Sequence, residues 1–136
     1  MLVGHSPWRF AAGWLAAQGS PYDVTQVVTA GSPVGSLGPF PPGTSVLSLE
    51  NAGDVIPLLD GTANAPAANH VTVTFDDPAP SIADAHDLRH YAAGAAGVDG
   101  SADPSVVDQL DRLRSEGFLG GAGEARSQVF QITRAT

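Results

Sequence analysis

Short runs of apolar and β-branched residues recur along the chain, separated by segments rich in glycine, proline and serine. Such runs are typical of buried strands, and the segments between them are long enough to hold helices or loops. The pattern predicts strands at residues 2–3, 24–30, 45–49 and 70–75, with a further short strand at residues 127–133. Strands that alternate with helices or long loops favour a parallel sheet.

Three segments between or after these runs have helical signatures. Residues 7–18 begin with Pro7, whose missing N–H costs nothing at a first helical position, and they end before Gly19. Residues 84–96 have Leu88 and Tyr91 as apolar anchors. Asp103 followed by proline predicts a capped helix that continues to about residue 116. We therefore expect an α/β fold with about four mostly parallel strands and flanking helices.

The composition and charge of the chain exclude or disfavour several functional classes. The chain has 136 residues, a size that suits one domain, and a net charge of −8, with arginine as its only strongly basic residue type. Such an acidic chain repels a phosphate backbone, so nucleic-acid binding is disfavoured. It has no cysteine and no apolar run long enough to span a bilayer. The first residues do not resemble a signal peptide, which predicts a cytoplasmic protein.

Three residues in separate segments suggest nucleophilic chemistry. Ser6 follows the first strand and precedes the first helix, where a tight turn can expose its hydroxyl. Asp54 follows a strand further on, and His86 lies at the head of a later helix. In a serine hydrolase the imidazole takes the serine proton, and a buried carboxylate holds that imidazole in the required tautomer.

Four sequence blocks carry a resemblance to a known superfamily. They are LVGHS at residues 2–6, VVTAGSP at 27–33, LENAGDVIP at 49–57 and AHDLRHY at 85–91. In this order they resemble the C-terminal portion of an α/β-hydrolase of the serine esterase or lipase kind, from residue 2 to about residue 118. The resemblance implies that Ser6 is the nucleophile, Asp54 the acid and His86 the base of a catalytic triad. It implies hydrolysis of small-molecule or lipid esters through an acyl-enzyme, with no cofactor.

Each of these roles has an alternative. Asp60 also follows Pro57 in a loop and is a second candidate for the acid, and His90 is a second candidate for the base. Without the resemblance, Ser6 reads as a helix cap, Asp54 as a turn carboxylate and His86 as a partly exposed helix residue. His5 is expected to pack beside the turn, and His70 to begin a strand.

Two residues next to Ser6 depart from the superfamily pattern. Trp8 occupies a position where the nucleophile motif has glycine. Pro7 follows the nucleophile and has no N–H, although the backbone N–H at this position normally helps to form the oxyanion hole. Losing one such donor costs roughly 10²–10³ in rate. We therefore expect impaired or absent activity.

The start of the chain at this first strand leads to further expectations. Residues 1–136 are interpreted as a single incomplete domain that begins at the nucleophile turn. The first strand then forms an edge, which predicts self-association through that strand. A catalytically dead hydrolase remnant and a non-enzymatic α/β binding module are alternative functions. A zinc site at His86 and His90, four residues apart, is a further alternative that lacks an evident third ligand.

Overall fold

Four parallel strands form the central sheet of the protein. A computed structural model describes residues 1–6 and 22–120. The strands are β1 (Leu2–His5), β2 (Gln26–Ala30), β3 (Ser45–Asn51) and β4 (His70–Phe75), and they lie in the order β1-β2-β3-β4. All three neighbouring pairs are parallel. The α/β class predicted from the sequence is therefore confirmed. The helix predicted at residues 7–18 and the strand predicted at residues 127–133 lie outside the described residues.

The two faces of the sheet are covered by different kinds of structure. Strand residues alternate between the faces, so neighbours along β3 belong to different clusters. Leu47 and Leu49 pack against Tyr91 and the apolar side of the C-terminal helices, whereas Val46 packs with Val34 and Phe40 from the loop after β2. Because β3 is covered on both faces, every residue of the strand except Glu50 is buried, and this includes its two serines and Asn51.

Between β4 and residue 120 the structure has three helices: α1 (Ile82–Ala85), α2 (Leu88–Asp99) and α3 (Pro104–Ser115). The single helix predicted at residues 84–96 is wrong, because the chain breaks it at residues 86 and 87. Asp87 has an extended backbone, with φ −66° and ψ 138°, and its side chain accepts a hydrogen bond from the N–H of Arg89. This is an N-cap, which begins a new helix rather than continuing the old one.

Helix α3 matches the prediction from its capping residues. Asp103 accepts hydrogen bonds from the N–H groups of Ser105 and Val106, and Pro104 occupies the first helical position. Within residues 1–6 and 22–120, no helix combines the length and apolar character that a bilayer crossing requires.

The parallel arrangement determines where polar loops meet. Parallel neighbours end at the same edge of a sheet, and open α/β sheets bind ligands at that edge. Ser6 follows β1, Gly31 follows β2, and the turn that contains Asp54 follows β3. The sheet therefore brings three of the four sequence blocks singled out above to one edge.

Candidate active site

Ser6 lies in an unusual backbone conformation at the end of β1. Its φ is 72°, and it is the one non-glycine residue with a positive φ within the described part of the chain. Its N–H donates to the carbonyl of Ala30 at 3.2 Å, and its own carbonyl accepts from the Ser32 hydroxyl at 3.4 Å. A left-handed conformation costs an L-residue roughly 1–2 kcal/mol. A strained serine between strand and turn is the backbone feature that exposes the nucleophile in the strand–turn–helix motif.

Asp54 is a fully buried carboxylate in the turn after β3. Its side chain is 0% exposed. Oδ1 accepts from the N–H of Ile56 at 2.8 Å, and Oδ2 lies 2.6 Å from Nδ1 of His86 and 2.5 Å from the hydroxyl of Tyr91. A buried carboxylate is tolerated only when donors surround it, and here three donors do so.

His86 lies between α1 and α2, and its two ring nitrogens differ in their hydrogen bonding. Nδ1 faces the Asp54 carboxylate, and because an ionised carboxylate only accepts hydrogen bonds, Nδ1 carries the proton. Nε2 is buried and has no hydrogen-bond partner among the described residues. In the neutral ring this leaves Nε2 as an unprotonated acceptor, which is the form that a general base requires.

His5 packs directly against His86. The two rings stack with centroids 4.6 Å apart and an angle of 19° between their planes. Nε2 of His5 donates to the backbone carbonyl of His86 at 2.9 Å. Since Ser6 is the next residue after His5, the end of β1 places the strained serine beside the segment that carries His86.

The three predicted triad residues are joined in part. Asp54 and His86 form the hydrogen-bonded pair that the resemblance implied, although their positions are 32 residues apart. Ser6 is not hydrogen-bonded to His86, because Nε2 has no partner in residues 1–6 and 22–120. Catalytic hydrogen bonds are often long or absent without substrate. The catalytic roles of the three residues stay a prediction.

The alternative acid, Asp60, has a local structural role. Its carboxylate accepts from the N–H of Ser36 and from the N–H of Thr62, each at 3.0 Å. Partial burial opposes ionisation, but these backbone donors outweigh it and lower the pKa of Asp60. Asp60 therefore joins two loops, and the structure gives it no hydrogen bond to His86.

The alternative base, His90, also has other partners. Its Nδ1 lies 2.7 Å from Asp77 and its Nε2 lies 3.3 Å from Asp84, so both nitrogens are occupied. The hydrogen bond with Asp77 raises the pKa of His90, burial opposes this, and Asp84 adds to it. His90 is therefore part of a different ion-pair cluster from His86.

The zinc hypothesis is not supported by this arrangement. His86 and His90 were expected on one helical face, but His86 precedes α2 and each histidine pairs with its own carboxylate. Within the part of the chain that the structure describes, no group of three or more histidine or acidic residues could hold a metal ion.

His70 begins β4, as the sequence predicted. Its ring forms a hydrogen bond with the Ser48 hydroxyl at 2.8 Å, and burial lowers the pKa of His70.

Asn51 is a supporting residue that the sequence reasoning missed. Its side-chain amide donates to the carbonyls of Asp77 and Ala85, at 3.1 and 3.2 Å, and its carbonyl oxygen accepts from the N–H of Asp77 at 3.1 Å. The amide therefore ties the end of β3 to the residue that precedes His86. Its position three residues before Asp54, at a strand end, was the available signal.

A second carboxyl group lies close to the Asp54 pair. Burial raises the pKa of Glu50, a hydrogen bond with Asn64 opposes this, and the charge of Asp54 raises the pKa further. Oε1 of Glu50 is buried and has no partner among the described residues. Burial of this carboxyl group therefore opposes its ionisation beside Asp54.

Comparisons with protein-family models, with curated proteins and with solved structures found no match for this chain. The geometry of the site is therefore the basis for any function assigned to it.

Proposed function

We propose that this protein is a carboxylic ester hydrolase of the α/β-hydrolase kind. In this proposal Ser6 is the nucleophile, His86 is the general base and Asp54 orients His86. The observation that carries the proposal is the His86–Asp54 pair. Nδ1 is bound to a fully buried carboxylate, and Nε2 has no hydrogen-bond partner within residues 1–6 and 22–120. The strained backbone of Ser6, next to a histidine that stacks on His86, supports it.

The geometry suggests a two-step reaction. The hydroxyl of Ser6 attacks the acyl carbon while Nε2 of His86 takes its proton, and the tetrahedral intermediate collapses as His86 returns that proton to the leaving alkoxide. Water then attacks the acyl-enzyme, with His86 as base again, and releases the acid. Asp54 remains ionised throughout and stabilises the imidazolium. The substrate class is an ester of a small molecule or a lipid.

Pro7 sets the expected rate of this reaction. Because it has no N–H, the turn after Ser6 lacks one of the usual donors to the oxyanion. Removing one donor slows acyl transfer by roughly 10²–10³. Because of this missing donor, we propose a slow esterase rather than an efficient one. Pro7 and Trp8 themselves lie outside the described residues.

A covalent probe tests the nucleophile even when turnover is slow. A fluorophosphonate reacts with an activated serine, and we expect it to modify Ser6, as mapped by mass spectrometry of the digested protein. Ser6→Ala should abolish both this labelling and the hydrolysis of p-nitrophenyl acetate.

His86→Gln and His90→Gln form a matched pair for the base. We expect His86→Gln to lose labelling and His90→Gln to retain it, because His90 has both nitrogens bound to carboxylates. A wild-type protein that is folded but neither labels at Ser6 nor hydrolyses the ester would overturn the proposal, as would equal loss in both histidine variants.

A further inference from the structure

Tyr91 lies in the core with its hydroxyl at the candidate site. The side chain is almost fully buried, at 1% exposure, and its ring packs edge-on against Phe75. The hydroxyl donates to Oδ2 of Asp54 at 2.5 Å, the same oxygen that His86 binds. The N–H of Asn51 points at the hydroxyl oxygen at 3.4 Å. One carboxylate oxygen therefore has two donors, and one of them is itself in a short chain of hydrogen bonds.

The hydroxyl is a donor that stays protonated. Burial raises the pKa of Tyr91, and the hydrogen bond to Asp54 raises it further. The group therefore donates to Asp54 across the whole pH range in which an imidazole titrates. A donor of this kind stabilises the ionised carboxylate and fixes the direction of its oxygens.

Gly31 leaves the space that this contact needs. A Cβ at position 31 would lie 2.7 Å from the Tyr91 hydroxyl and 2.8 Å from Oδ2 of Asp54, and the φ of Gly31 is +59°. The close approach of the β2 end to the Tyr91–Asp54 contact therefore requires glycine. The glycine of the second sequence block therefore lies directly against the Tyr91–Asp54 hydrogen bond.

We infer that Tyr91 is a positioning residue of the candidate site, which holds Asp54 toward His86 and limits how strongly Asp54 attracts the imidazole proton. The expected effect of Tyr91 on the reaction rate rests on the proposed function, whereas its expected effect on the titration of His86 does not. When Asp54 shares its charge with a second donor, less of it is available to stabilise the imidazolium. Removing that donor makes Asp54 a stronger partner for His86 and a less well oriented one.

Tyr91→Phe is the variant that removes the hydroxyl and keeps the ring. We expect the NMR titration of the His86 ring to move to higher pH than in the wild type, because Asp54 then stabilises the imidazolium more strongly. Tyr22→Phe is the matched control, since it removes the same atom from a side chain that is 74% exposed. His86→Gln identifies the His86 resonance.

The rate gives a second measurement. Because Asp54 and His86 are then less well oriented, we expect kcat/KM for p-nitrophenyl acetate to fall by roughly tenfold. The acid limb of its pH profile should move in the same direction as the NMR titration.

The two experiments separate failure of this inference from failure of the proposed function. A purely structural role for Tyr91 predicts a lower melting temperature with an unchanged His86 titration, and that result would overturn the inference. A shifted titration in a protein that neither hydrolyses esters nor labels at Ser6 would support the positioning role and reject the esterase proposal.

Discussion

His86 and His90 lie four residues apart in the chain and each pairs with aspartate, but the two sites differ in the burial of the carboxylate and in the partners of the second ring nitrogen. His86 binds Asp54, whose side chain is 0% exposed, and its second nitrogen has no partner among the described residues. His90 binds Asp77 and Asp84, which are 41% and 21% exposed, and both of its ring nitrogens face carboxylates. We propose a role in proton transfer for the first pair, whereas the second joins α1 and α2 to the segment after β4.

The comparison shows that a histidine next to an aspartate is not by itself a sign of catalysis. Both pairs have short contacts, of 2.6 and 2.7 Å, so distance does not separate them. They differ in the burial of the carboxylate and in the state of the other ring nitrogen. Fixed charge in a site shielded from water has a larger electrostatic effect than the same charge in solvent.

The largest effect is expected when the two acids are replaced in turn. Asp54→Asn places an amide against Nδ1 of His86 and favours the wrong tautomer, so we expect kcat for ester hydrolysis to fall by about 10⁴. Asp77→Asn is the matched change in the other pair and should leave kcat close to that of the wild type. Steady-state kinetics and thermal melting of both variants provide the test, and similar kinetic losses in two folded proteins would contradict the comparison.

A smaller effect is expected on stability when the space above Asp54 is filled. Gly31→Ala forces an L-residue into the left-handed region and drives a methyl group into the Tyr91–Asp54 contact. We expect the free energy of unfolding to fall by about 3 kcal/mol, from backbone strain and overpacking together. Urea denaturation measures this.

Gly43→Ala is the control for that change, since a Cβ there would have nothing within 4 Å and its φ is not in the left-handed region. We expect its unfolding midpoint to stay near the wild-type value. If both alanine variants lose the same stability, the close approach at Gly31 is not what the site depends on.

The smallest effect concerns pH and the pair formed by His90. The folded pKa of His90 lies above the ordinary value of 6.5 because Asp77 and Asp84 outweigh burial and the repulsion of Arg89. Its stabilising contribution is therefore fully present below about pH 6.5 and is lost as the pH rises through the folded pKa. His70 contributes with the opposite sign, since burial lowers its pKa and its neutral form is favoured in the fold.

His90→Gln isolates the contribution of that pair. We expect the difference in unfolding free energy between the wild type and this variant to shrink as the pH is raised from 6 to 9, as measured by urea denaturation. A difference that grows with pH would show that the sign assigned to His90 is wrong.

The strands of the sheet could be predicted from the sequence because local patterns determine them. Residues 45–49 contain valine and two leucines, and residues 70–75 are mostly β-branched. The structure extends the first of these runs to Asn51 and begins the second at His70. The break between α1 and α2 was not predicted. Leu88 and Tyr91 continue an apolar helical pattern across residues 86 and 87, and the pattern does not reveal that Asp87 caps its own helix.

The candidate site could be predicted in part. Asp54 is preferred to Asp60 as the partner of His86 because it lies nearer the end of its strand, and the structure has that pairing. Tyr91 was interpreted as an apolar anchor, which its ring is, and its hydroxyl was overlooked. A buried tyrosine hydroxyl needs a partner, but which buried acceptor it reaches depends on how α2 lies on β3, and no local pattern contains that information.

Because the strands of the sheet are parallel and lie in chain order, each neighbouring pair is joined by a long connection. No two adjacent strands are joined by a tight turn: the register pairs Gln26 with Ser45, 19 positions away, and Leu2 with Val27, 25 positions away. Each pairing therefore closes a long loop before it gains contacts, which makes such sheets slow to form. Ser6, Asp54 and His86 follow β1, β3 and α1, so they can meet only after long loops between distant segments have closed. Reactivity at Ser6 would therefore report the assembled sheet and not the formation of any single element.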